Sequence, residues 1–451
     1  MDKFDVVIVG AGTAVTVAAK TAAKLGLSTC LIDRKKQEDV GDKVCGDAVG
    51  KHHFDTIGIT PPHGNELAGE IKGINVYSPD KETVFEVAGK GLQGFMINRR
   101  EFGQRLLDEA VDAGAIFLDE TQGLNLIIKK NLVTGIEAKN WKKNDNMEIH
   151  GKIVIDASGF DTIFRTQTPK EWEITSVIPK EDVTVCYREI RELNSTVEDQ
   201  DYCKIYLNQN VAPGGYYWVF PKGERQVNIG LGVLMKRGFK NPKYQYQNHI
   251  LNQSLFDNSR RITGGGGVVS TRRPINNMVG NGILFIGDAA CQPNPIHGGG
   301  IGSSMLAGKI AAQTSSEAEE KGDFGMLQLW PYNTNFMMEY GAKAAGLDAF
   351  RIFLQKCTNE DLNNGMRQRI IKEEDILRAS LGEDLRLNLT EKIQRVFKNL
   401  KKIQFVLALR KTAKKMKQIK QLYYNYPSIE GFSEWCKRVD NIIEDMKSLT
   451  F

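Results

Sequence analysis

Residues 4–19 read FDVVIVGAGTAVTVAA, an apolar run followed by two glycines and a run of small residues. This pattern predicts a buried β-strand over residues 4–9, a tight loop at Gly10–Gly12 and an α-helix after it. Strand, glycine loop and helix in this order are typical of the first unit of a dinucleotide-binding domain. The stretch therefore predicts an α/β fold class with a Rossmann-like nucleotide-binding domain.

The glycine fingerprint of this loop is incomplete. Gly10 makes the turn and Gly12 lets the backbone approach a pyrophosphate, but Val15 replaces the third glycine, which normally lets the helix pack closely on the strand. Overpacking by a valine costs roughly 1–3 kcal/mol, which a domain of this size can absorb. Asp33 ends the next predicted strand, where an acid hydrogen-bonds a ribose. We therefore expect nucleotide binding, and an α/β unit without a ligand is the alternative.

Composition limits the other classes of function. The chain has 451 residues, of which 41% are hydrophobic and 25% charged, and its net charge of +5 is too mild to indicate a nucleic-acid partner. It has no apolar stretch of transmembrane length and no signal-peptide pattern, so a cytoplasmic location is expected. The seven cysteines lack the spacing of a zinc site, so no metal is expected. Most of them are interpreted as buried reduced thiols, and Cys45 and Cys291 are the candidate exceptions.

The sequence pattern changes twice along the chain. Residues 1–170 alternate strands with helices, whereas short strands with aromatic clusters follow and indicate an antiparallel sheet with one face free to line a pocket. TGGGGVV, at 263–269, is interpreted as the return crossing, with a flexible turn as the alternative. The predicted units are a discontinuous nucleotide-binding domain (1–170 and 262–320), an antiparallel-sheet substrate or catalytic domain (171–261) and a helical C-terminal domain (321–451).

A second glycine-rich loop follows the apolar run GILFI. Asp288 ends that strand region, where a carboxylate is placed to accept hydrogen bonds from polyol hydroxyls. A helix is predicted from about Ile301, so its positive N-terminal end points at any group bound before it, such as an anionic reduced flavin ring. His297 is interpreted as a loop-shaping residue, with a catalytic acid as the alternative. The glycines that would let a flat ring lie against bare backbone are Gly298, Gly299 and Gly300.

Three large rings alternate along a predicted strand of the middle region. Tyr216, Trp218 and Phe220 point to one face because side chains alternate along a strand. They are expected to bind substrate as the wall of a long apolar tunnel, in which each buried CH₂ group contributes about 0.8 kcal/mol. Ordinary sheet core is the alternative.

These motifs together resemble known flavoproteins. GAG with Asp33, INRREF, VIDASG and IGDAA, in this order, resemble the fold of para-hydroxybenzoate hydroxylase and its relatives. KVCGD, INRREF and PGGYYWVFP resemble, more narrowly, the geranylgeranyl reductase family over roughly residues 1–320. The resemblance implies an FAD-dependent reductase that saturates C=C bonds of geranylgeranyl chains in membrane-lipid precursors, by flavin hydride transfer plus protonation.

The same resemblance implies a set of site residues. The family signature Pro-x-x-Tyr-x-Trp-x-Phe-Pro falls on residues 213–221. Thr13 and Val15 depart from the family pattern in the glycine loop, which bears on nucleotide affinity rather than on the fold. Cys45 lies in a polar loop and is either the proton donor or a residue that shapes the loop; both roles stay open. The implied flavin contacts are Gly10, Gly12, Ala14, Asp33, Cys45, Gly46, Ala48, Arg99, Asp288, Gly300 and Ile301, with Val15 in the same loop and an adenine contact near Gly123.

The partners and the competing functions follow from these motifs. An isoprenoid lipid or prenyl diphosphate is the implied substrate, and NAD(P)H or a small redox protein is the implied electron donor, since no second glycine fingerprint occurs. A flavin-dependent halogenase or monooxygenase of the same fold is an alternative, because GYYWVFP partly matches the halogenase pattern Gly-Trp-x-Trp-x-Ile-Pro. A non-catalytic prenyl-binding carrier, like the guanine-nucleotide dissociation inhibitors, is a second alternative that Val15 would suit.

The segment 392–420 contains eleven Lys or Arg residues and no acidic residue. This pattern predicts a basic amphipathic helix. The helix either packs on the main body with its charged face in water or lies on an anionic membrane surface, so a peripheral membrane position stays open. Its predicted apolar stripe consists of Ile393, Val396, Phe397, Leu400, Ile403 and Leu407.

Overall fold

The computed structural model describes residues 3–89, 91–236, 238–385 and 400–451. The strands are β1 Lys3–Val9, β2 Thr29–Ile32, β3 Ala48–Gly50, β4 Leu67–Ile71, β5 Gly73–Tyr77, β6 Val84–Ala88, β7 Gly94–Ile97, β8 Ile116–Leu118, β9 Thr121–Lys129, β10 Leu132–Asn140, β11 Asp145–Asp156, β12 Val183–Glu192, β13 Tyr202–Tyr206, β14 Tyr216–Pro221, β15 Gln226–Leu234, β16 Arg260–Ser270, β17 Val279–Gly280 and β18 Ile283–Phe285. The α-helices are α1 Thr13–Lys24, α2 Lys51–Ile57, α3 Arg99–Asp112, α4 Phe164–Gln167, α5 Pro242–Gln245, α6 Ile301–Lys321, α7 Met326–Leu329, α8 Pro331–Phe336, α9 Ala342–Leu354, α10 Asn359–Arg367, α11 Glu373–Leu381, α12 Leu400–Tyr424 and α13 Phe432–Lys447.

The N-terminal strand lies in the middle of a parallel sheet. β1 pairs with β11 on one side and with β2 on the other, and the sheet continues in the order β17-β18-β11-β1-β2-β8. β1 is buried from Val6 to Val9, which explains its continuous apolar run. Helix α1 packs on α6 so closely that a Cβ built on Gly308 would lie 2.1 Å from the carbonyl oxygen of Ala14. The predicted α/β class with a Rossmann-like domain is confirmed.

A second, largely antiparallel sheet carries the aromatic strand. Its order is β16-β12-β15-β14-β13-β5-β6, and β13 and β5 form its parallel pair. The sheet extends beyond the predicted range 171–261, because β5 and β6 join it at one edge and β16 at the other. The segment TGGGGVV is therefore neither a turn nor a bare crossing: it pairs along β12 as part of the edge strand β16.

A small three-stranded sheet, in the order β3-β7-β4, lies beside the loop that contains Cys45. One end of this loop contacts the start of α3, since a Cβ on Gly41 would be 2.6 Å from the carbonyl oxygen of Arg99. The middle of the loop contacts the edge of the second sheet, where Val44 lies over Gly265 and Gly267. The loop thus connects the nucleotide-binding domain with the aromatic sheet.

The C-terminal helix α12 packs along α9 rather than standing apart from the body. Phe405, Val406 and Leu409 are buried, whereas the side chain of Leu407 is 49% exposed. The predicted apolar stripe is therefore wrong at Leu407, because the face that packs on α9 is rotated away from it. Ile393, Val396, Phe397 and the side chain of Leu400 lie outside the described residues. Among the helices of the described residues, none combines the length and the apolar character of a membrane span.

A buried cluster of charges joins α9 to the two sheet domains. Arg351 donates through Nη2 to Asp182 Oδ1 and to Asp348 Oδ1, both at 2.7 Å. Arg273, in the segment after β16, donates to Asp348 Oδ2 at 3.2 Å. Burial favours the neutral form of Asp348, but Arg351 and Arg273 outweigh it and hold its pKa below the usual range. The cluster fixes the C-terminal helices against the rest of the molecule.

Candidate functional site

The glycine loop at the end of β1 has the conformation that only glycine adopts easily. Gly10 has φ +107°, and a Cβ there would be 2.7 Å from the carbonyl oxygen of Ala157. Above Gly12 there is open space, since among the described residues other than its chain neighbours none has a heavy atom within 4 Å of a built Cβ. Asp33 fixes the loop, since its Oδ2 accepts a hydrogen bond from Ala11 N at 2.6 Å. The expected contact of Asp33 with a ribose stays a prediction.

Three other predicted cofactor residues of this domain are enclosed by packing. Ala14 and Val15 lie in the first turn of α1, and both are buried. Gly123 lies in β9, where a Cβ would come within 3.0 Å of Phe164 Cζ and 3.2 Å of Val9 Cγ1. Packing against these two side chains explains a small residue at position 123, and its contact with adenine stays a prediction.

Arg99 is a buried cation with unused hydrogen-bond donors. It begins α3 and is 8% exposed, yet its Nε and Nη1 atoms have no hydrogen-bond partner among the described residues. Leaving a charged donor buried and unpaired costs free energy. The arrangement is typical of an arginine that binds an anionic group such as a phosphate.

The N-terminus of α6 also has hydrogen-bond donors that no side chain caps. Gly300 is its N-cap and offers no side chain to the free backbone N–H groups of the first turn. Gly298 has φ +66°, and the backbone N–H of Gly299 donates to His297 Nδ1 at 3.1 Å. Asp288 lies beside this end, with Oδ1 3.6 Å from where a Cβ of Gly300 would be. Ile301 is buried in the first turn.

Asp288 is also connected to the Cys45 loop, because Lys43 forms an ion pair with its carboxylate. Lys43 is largely exposed, whereas Asp288 is mostly buried. Ala48, at the end of the loop, is exposed and pairs with Met96 in the small sheet. The loop and the α6 terminus therefore both lie beside one carboxylate.

The three predicted substrate rings form one continuous surface. The ring centroids of Tyr216 and Trp218 are 5.9 Å apart, and those of Trp218 and Phe220 are 6.0 Å apart. On the neighbouring strand, Gly230 pairs with Trp218 and Gly232 with Tyr216, so no side chain competes with the rings there. Tyr216 donates its hydroxyl hydrogen bond to the carbonyl oxygen of His297 at 2.7 Å, which brings the rings to the loop before α6.

The Cys45 loop covers the other end of this ring surface. A Cβ on Gly46 would lie 3.1 Å from Phe220 Cε2, so the loop backbone rests on the ring. The backbone N–H of Asp47 is 3.4 Å from Cys45 Sγ, and the Cys45 carbonyl accepts a hydrogen bond from Asn228 Nδ2 at 2.8 Å. The structure thus brings together Cys45, Gly46 and the aromatic strand, which sequence reasoning proposed separately.

Three polar residues of this contact were missed from the sequence: Asp47, Lys222 and Asn228. All are buried, and Asn228 is fully so. Asp47 is next to Gly46 in the KVCGD motif, which was a usable signal. Lys222 and Asn228 lie far along the chain in polar positions of an otherwise apolar sheet, and only the three-dimensional pairing shows their partner.

The chain has matches among known protein families and relatives. A family model described as the geranylgeranyl reductase catalytic domain matches residues 182–269, and one described as glucose inhibited division protein A matches residues 5–170. A digeranylgeranylglycerophospholipid reductase of Sulfolobus acidocaldarius is 41% identical over 451 residues, 99% of each chain. One of Methanococcoides burtonii is 33% identical, covering 80% of this chain and 87% of the relative. The chain belongs to the geranylgeranyl reductase family.

The solved structures agree with the assignment of the chain to the geranylgeranyl reductase family. A geranylgeranyl bacteriochlorophyll reductase-like protein from Thermoplasma acidophilum superimposes with a TM-score of 0.77 at 25% identity, covering 88% of this chain and 99% of the other. The myxobacterial chondrochloren halogenase has a TM-score of 0.66 at 14% identity over 96% of this chain and 99% of its own, which shows a shared fold alone. Family membership therefore favours the reductase over the halogenase and the carrier.

The reductase is an FAD-dependent oxidoreductase, and its residues fit that cofactor. The unpaired donors of Arg99 suit a phosphate, and the space over Gly12 leaves room for one. The uncapped N-terminus of α6 suits an electron-rich ring. These features lie on elements predicted to bind FAD, and the individual contacts stay predictions.

The thiols of the reductase differ in burial and in position. All seven cysteines are free. Burial raises the pKa of Cys30 and of Cys186 to about 12, so both stay protonated near neutral pH. Cys291, singled out from the sequence, is fully buried, and burial raises its pKa as well. Cys45 is half-buried, as are Cys186 and Cys436, and it differs from them in lying in the loop over the aromatic surface.

Proposed function

We propose that this reductase saturates the C=C bonds of geranylgeranyl chains in a phospholipid precursor of the membrane. The observation that carries the proposal is the contact between the Cys45 loop and the ring surface of Tyr216, Trp218 and Phe220. It places an apolar wall beside the loop and the helix terminus that are proposed to hold the flavin. The names of the relatives with 41% and 33% identity support a lipid with geranylgeranyl chains as the substrate.

The aromatic surface is proposed to bind the isoprenoid chain. Trp218 and Phe220 are more than nine-tenths buried, so this part of the wall is already shielded from water. Each methylene group of a bound chain adds about 0.8 kcal/mol when it leaves water, and no polar anchor is required along the chain. The ring faces also stabilise positive charge that develops at a tertiary carbon during protonation.

When bound and reduced by the electron donor, FAD would supply the hydride for one carbon of the double bond. The other carbon needs a proton, and we propose Cys45 Sγ as its source, since the thiol lies at the junction of loop and ring surface. Tyr216 carries a hydroxyl at this surface, and burial raises its pKa, so it stays protonated and holds the loop before α6 through the carbonyl oxygen of His297. Exclusion of water by the loop protects the charged stage of the reaction.

The electron donor and the membrane contact belong to the same proposal. NAD(P)H and a small redox protein are the two candidate donors, and parallel assays with each decide between them. A peripheral membrane contact is supported by the exposed face of α12, on which Leu407, Arg410, Lys411 and Lys414 lie at helical spacing. Sedimentation of the protein with anionic but not neutral lipid vesicles is the expected result, and no binding to either would contradict the contact.

A substrate panel with a ring variant tests the function. Dithionite-reduced holoenzyme is incubated in parallel reactions with geranylgeranyl diphosphate and with digeranylgeranylglycerophospholipid. Mass spectrometry then measures the masses of the products. Trp218→Ala is expected to lose most hydrogenation of the long chains while its FAD content stays normal. Tyr217→Ala is the matched control, because Tyr217 is the neighbouring ring on the opposite face and stacks on Tyr206 at 4.5 Å. Equal loss in both variants would contradict a substrate role for Trp218.

A further inference from the structure

Asn228 is bonded both to the ring surface and to the Cys45 loop. Its Oδ1 accepts a hydrogen bond from Trp218 Nε1 at 3.0 Å. Its Nδ2 donates to the carbonyl oxygen of Cys45 at 2.8 Å and to Asp47 Oδ2 at 2.9 Å. The side chain is completely buried, so water does not substitute for any of these bonds. One amide group therefore sets the distance between the indole and the loop.

Asp47 and Lys222 complete this network. Lys222 Nζ donates to Asp47 Oδ2 at 3.1 Å and to the carbonyl oxygen of Ile97 at 2.6 Å. Both side chains are buried, and Asp47 Oδ1 has no partner among the described residues. The carboxylate is thus only half compensated, and loss of either donor leaves a buried charge without sufficient partners, which is strongly unfavourable.

The backbone of Asp47 also needs this support. Its φ of +63° lies in the left-handed region, which residues other than glycine adopt at a cost in free energy. In this conformation its N–H points to Cys45 Sγ at 3.4 Å. The bonds from Lys222 and Asn228 hold the residue there, so they determine where the Cys45 sulfur lies relative to Trp218.

We propose that Asn228, Asp47 and Lys222 are positioning residues that hold the Cys45 thiol and the Trp218 indole in one fixed arrangement. The role rests on the proposed function, in which Trp218 contacts the isoprenoid chain and Cys45 supplies the proton. Neither Asn228 nor Lys222 is required to contact substrate or flavin. They act through the loop and the ring.

The first test replaces Asn228. In holoenzyme with Asn228→Ala, the loop is released and exposes the Cys45 thiol. Alkylation of Cys45 by iodoacetamide is therefore expected to rise at least about fivefold. Peptide mass spectrometry measures the alkylation, with Cys436 as internal reference. Because the reacting groups are displaced, kcat for the geranylgeranyl lipid is expected to fall at least about tenfold, with FAD content unchanged.

The matched control is Asn333→Ala. Asn333 is also completely buried, accepts a hydrogen bond from Met278 N at 3.0 Å and donates to Asn277 at 2.8 Å, away from the loop. It is expected to lower the Tm without changing Cys45 alkylation. If Asn228→Ala lowers the Tm in the same way but leaves both Cys45 alkylation and kcat at the wild-type values, Asn228 is merely structural and the proposal is overturned.

A second test uses a single variant at Lys222 and a double variant at Lys222 and Asp47. It decides on the network even if Asn228→Ala folds poorly. Lys222→Met leaves the Asp47 carboxylate without its cation, with the hydrogen bond from Asn228 still present, and is expected to expose Cys45. Adding Asp47→Asn removes that charge while keeping an acceptor for Asn228, so the double variant is expected to return Cys45 alkylation to within about twofold of wild type. Absence of this rescue contradicts the network. The alkylation readout needs no turnover, so an inactive wild-type enzyme would contradict the proposed function and not this inference.

Discussion

Gly230 lies directly against the indole of Trp218: a Cβ built on Gly230 would be 2.6 Å from Trp218 Cζ2. The same Cβ would be 2.6 Å from the carbonyl oxygen of Tyr187, so the neighbouring strand blocks any movement to the other side. The ring surface therefore depends on the absence of a side chain on the adjacent strand as much as on the rings themselves.

Gly230→Ala is expected to displace Trp218 and to destabilise the protein by about 1–3 kcal/mol, as overpacking does. Hydrogenation of geranylgeranyl chains should fall while the FAD content of the purified protein stays normal. Gly266→Ala is the control on the same sheet, since the one atom of the described residues that a Cβ added to Gly266 would approach, apart from its chain neighbours, is the carbonyl oxygen of Cys186, at 3.4 Å. Thermal melts and turnover of both variants check the prediction, and equal effects would contradict it.

Gly10→Ala is expected to weaken FAD binding at least about tenfold, because an alanine is strained at φ +107° and its Cβ meets backbone at 2.7 Å. Fluorescence titration of the apoprotein with FAD measures the change. Gly26→Ala serves as control, since Gly26 has φ +86° but open space around a Cβ. FAD binding by Gly10→Ala at wild-type affinity would show that the loop does not hold the cofactor.

The lowered pKa of His53 predicts that the folded protein loses stability in acid. Burial, together with His52 and Lys343, lowers its pKa from 6.5 to about 3, and its ring lies 2.1 Å from where a Cβ of Gly302 would be. Because the folded pKa is below the unfolded value, the unfolded chain takes up the proton first as the pH falls. The stability from this residue is present above pH 6.5 and is lost progressively toward pH 3.

His53→Gln should therefore remove about 2 kcal/mol of the stability loss between pH 7 and pH 5. Unfolding of wild type and variant at both pH values gives the comparison as a difference, which cancels the contribution of other titrating groups. An identical pH dependence in the two proteins would show that His53 does not remain neutral in the folded state.

Asp348→Asn tests the buried charge cluster that fixes α9. The change leaves Arg273 and Arg351 short of one anion in a water-free position, and a destabilisation of about 3–5 kcal/mol is expected. Arg367 pairs with Asp80 and Glu82 at the surface and is 52% exposed, so Arg367→Ala should cost about 1 kcal/mol or less. Denaturant unfolding measures the free energy of unfolding of both variants. A small effect of Asp348→Asn would show that the charge cluster contributes little to stability.

Local patterns were sufficient to predict much of the fold. The strand, glycine loop and acid of residues 4–33 follow from short-range hydrophobic order, and β1 and β2 pair in the middle of the parallel sheet as such a unit requires. The alternation of Tyr216, Trp218 and Phe220 predicted a shared face, because the period of a strand is two. These features are encoded within a few neighbouring residues.

Features that depend on distant pairing were not predictable in the same way. Strands β5 and β6 join a sheet whose next strand, β12, begins at Val183, 95 positions after the end of β6, so the range 171–261 read from the sequence does not contain every strand of this sheet. Asn228 meets Cys45 across 183 positions of the chain. Leu407 is apolar yet exposed, because α9 determines which face of α12 is buried and the sequence of α12 alone does not.

The central claim is that electrons pass from the reduced flavin to the double bonds of a geranylgeranyl chain. The most direct measurement reduces the holoenzyme under strict anaerobiosis, removes excess reductant and adds digeranylgeranylglycerophospholipid. The expected result is return of the oxidised-flavin absorbance, together with a lipid mass increase that corresponds to one saturated double bond for each flavin reoxidised. Flavin that stays reduced beside lipid of unchanged mass would contradict the claim.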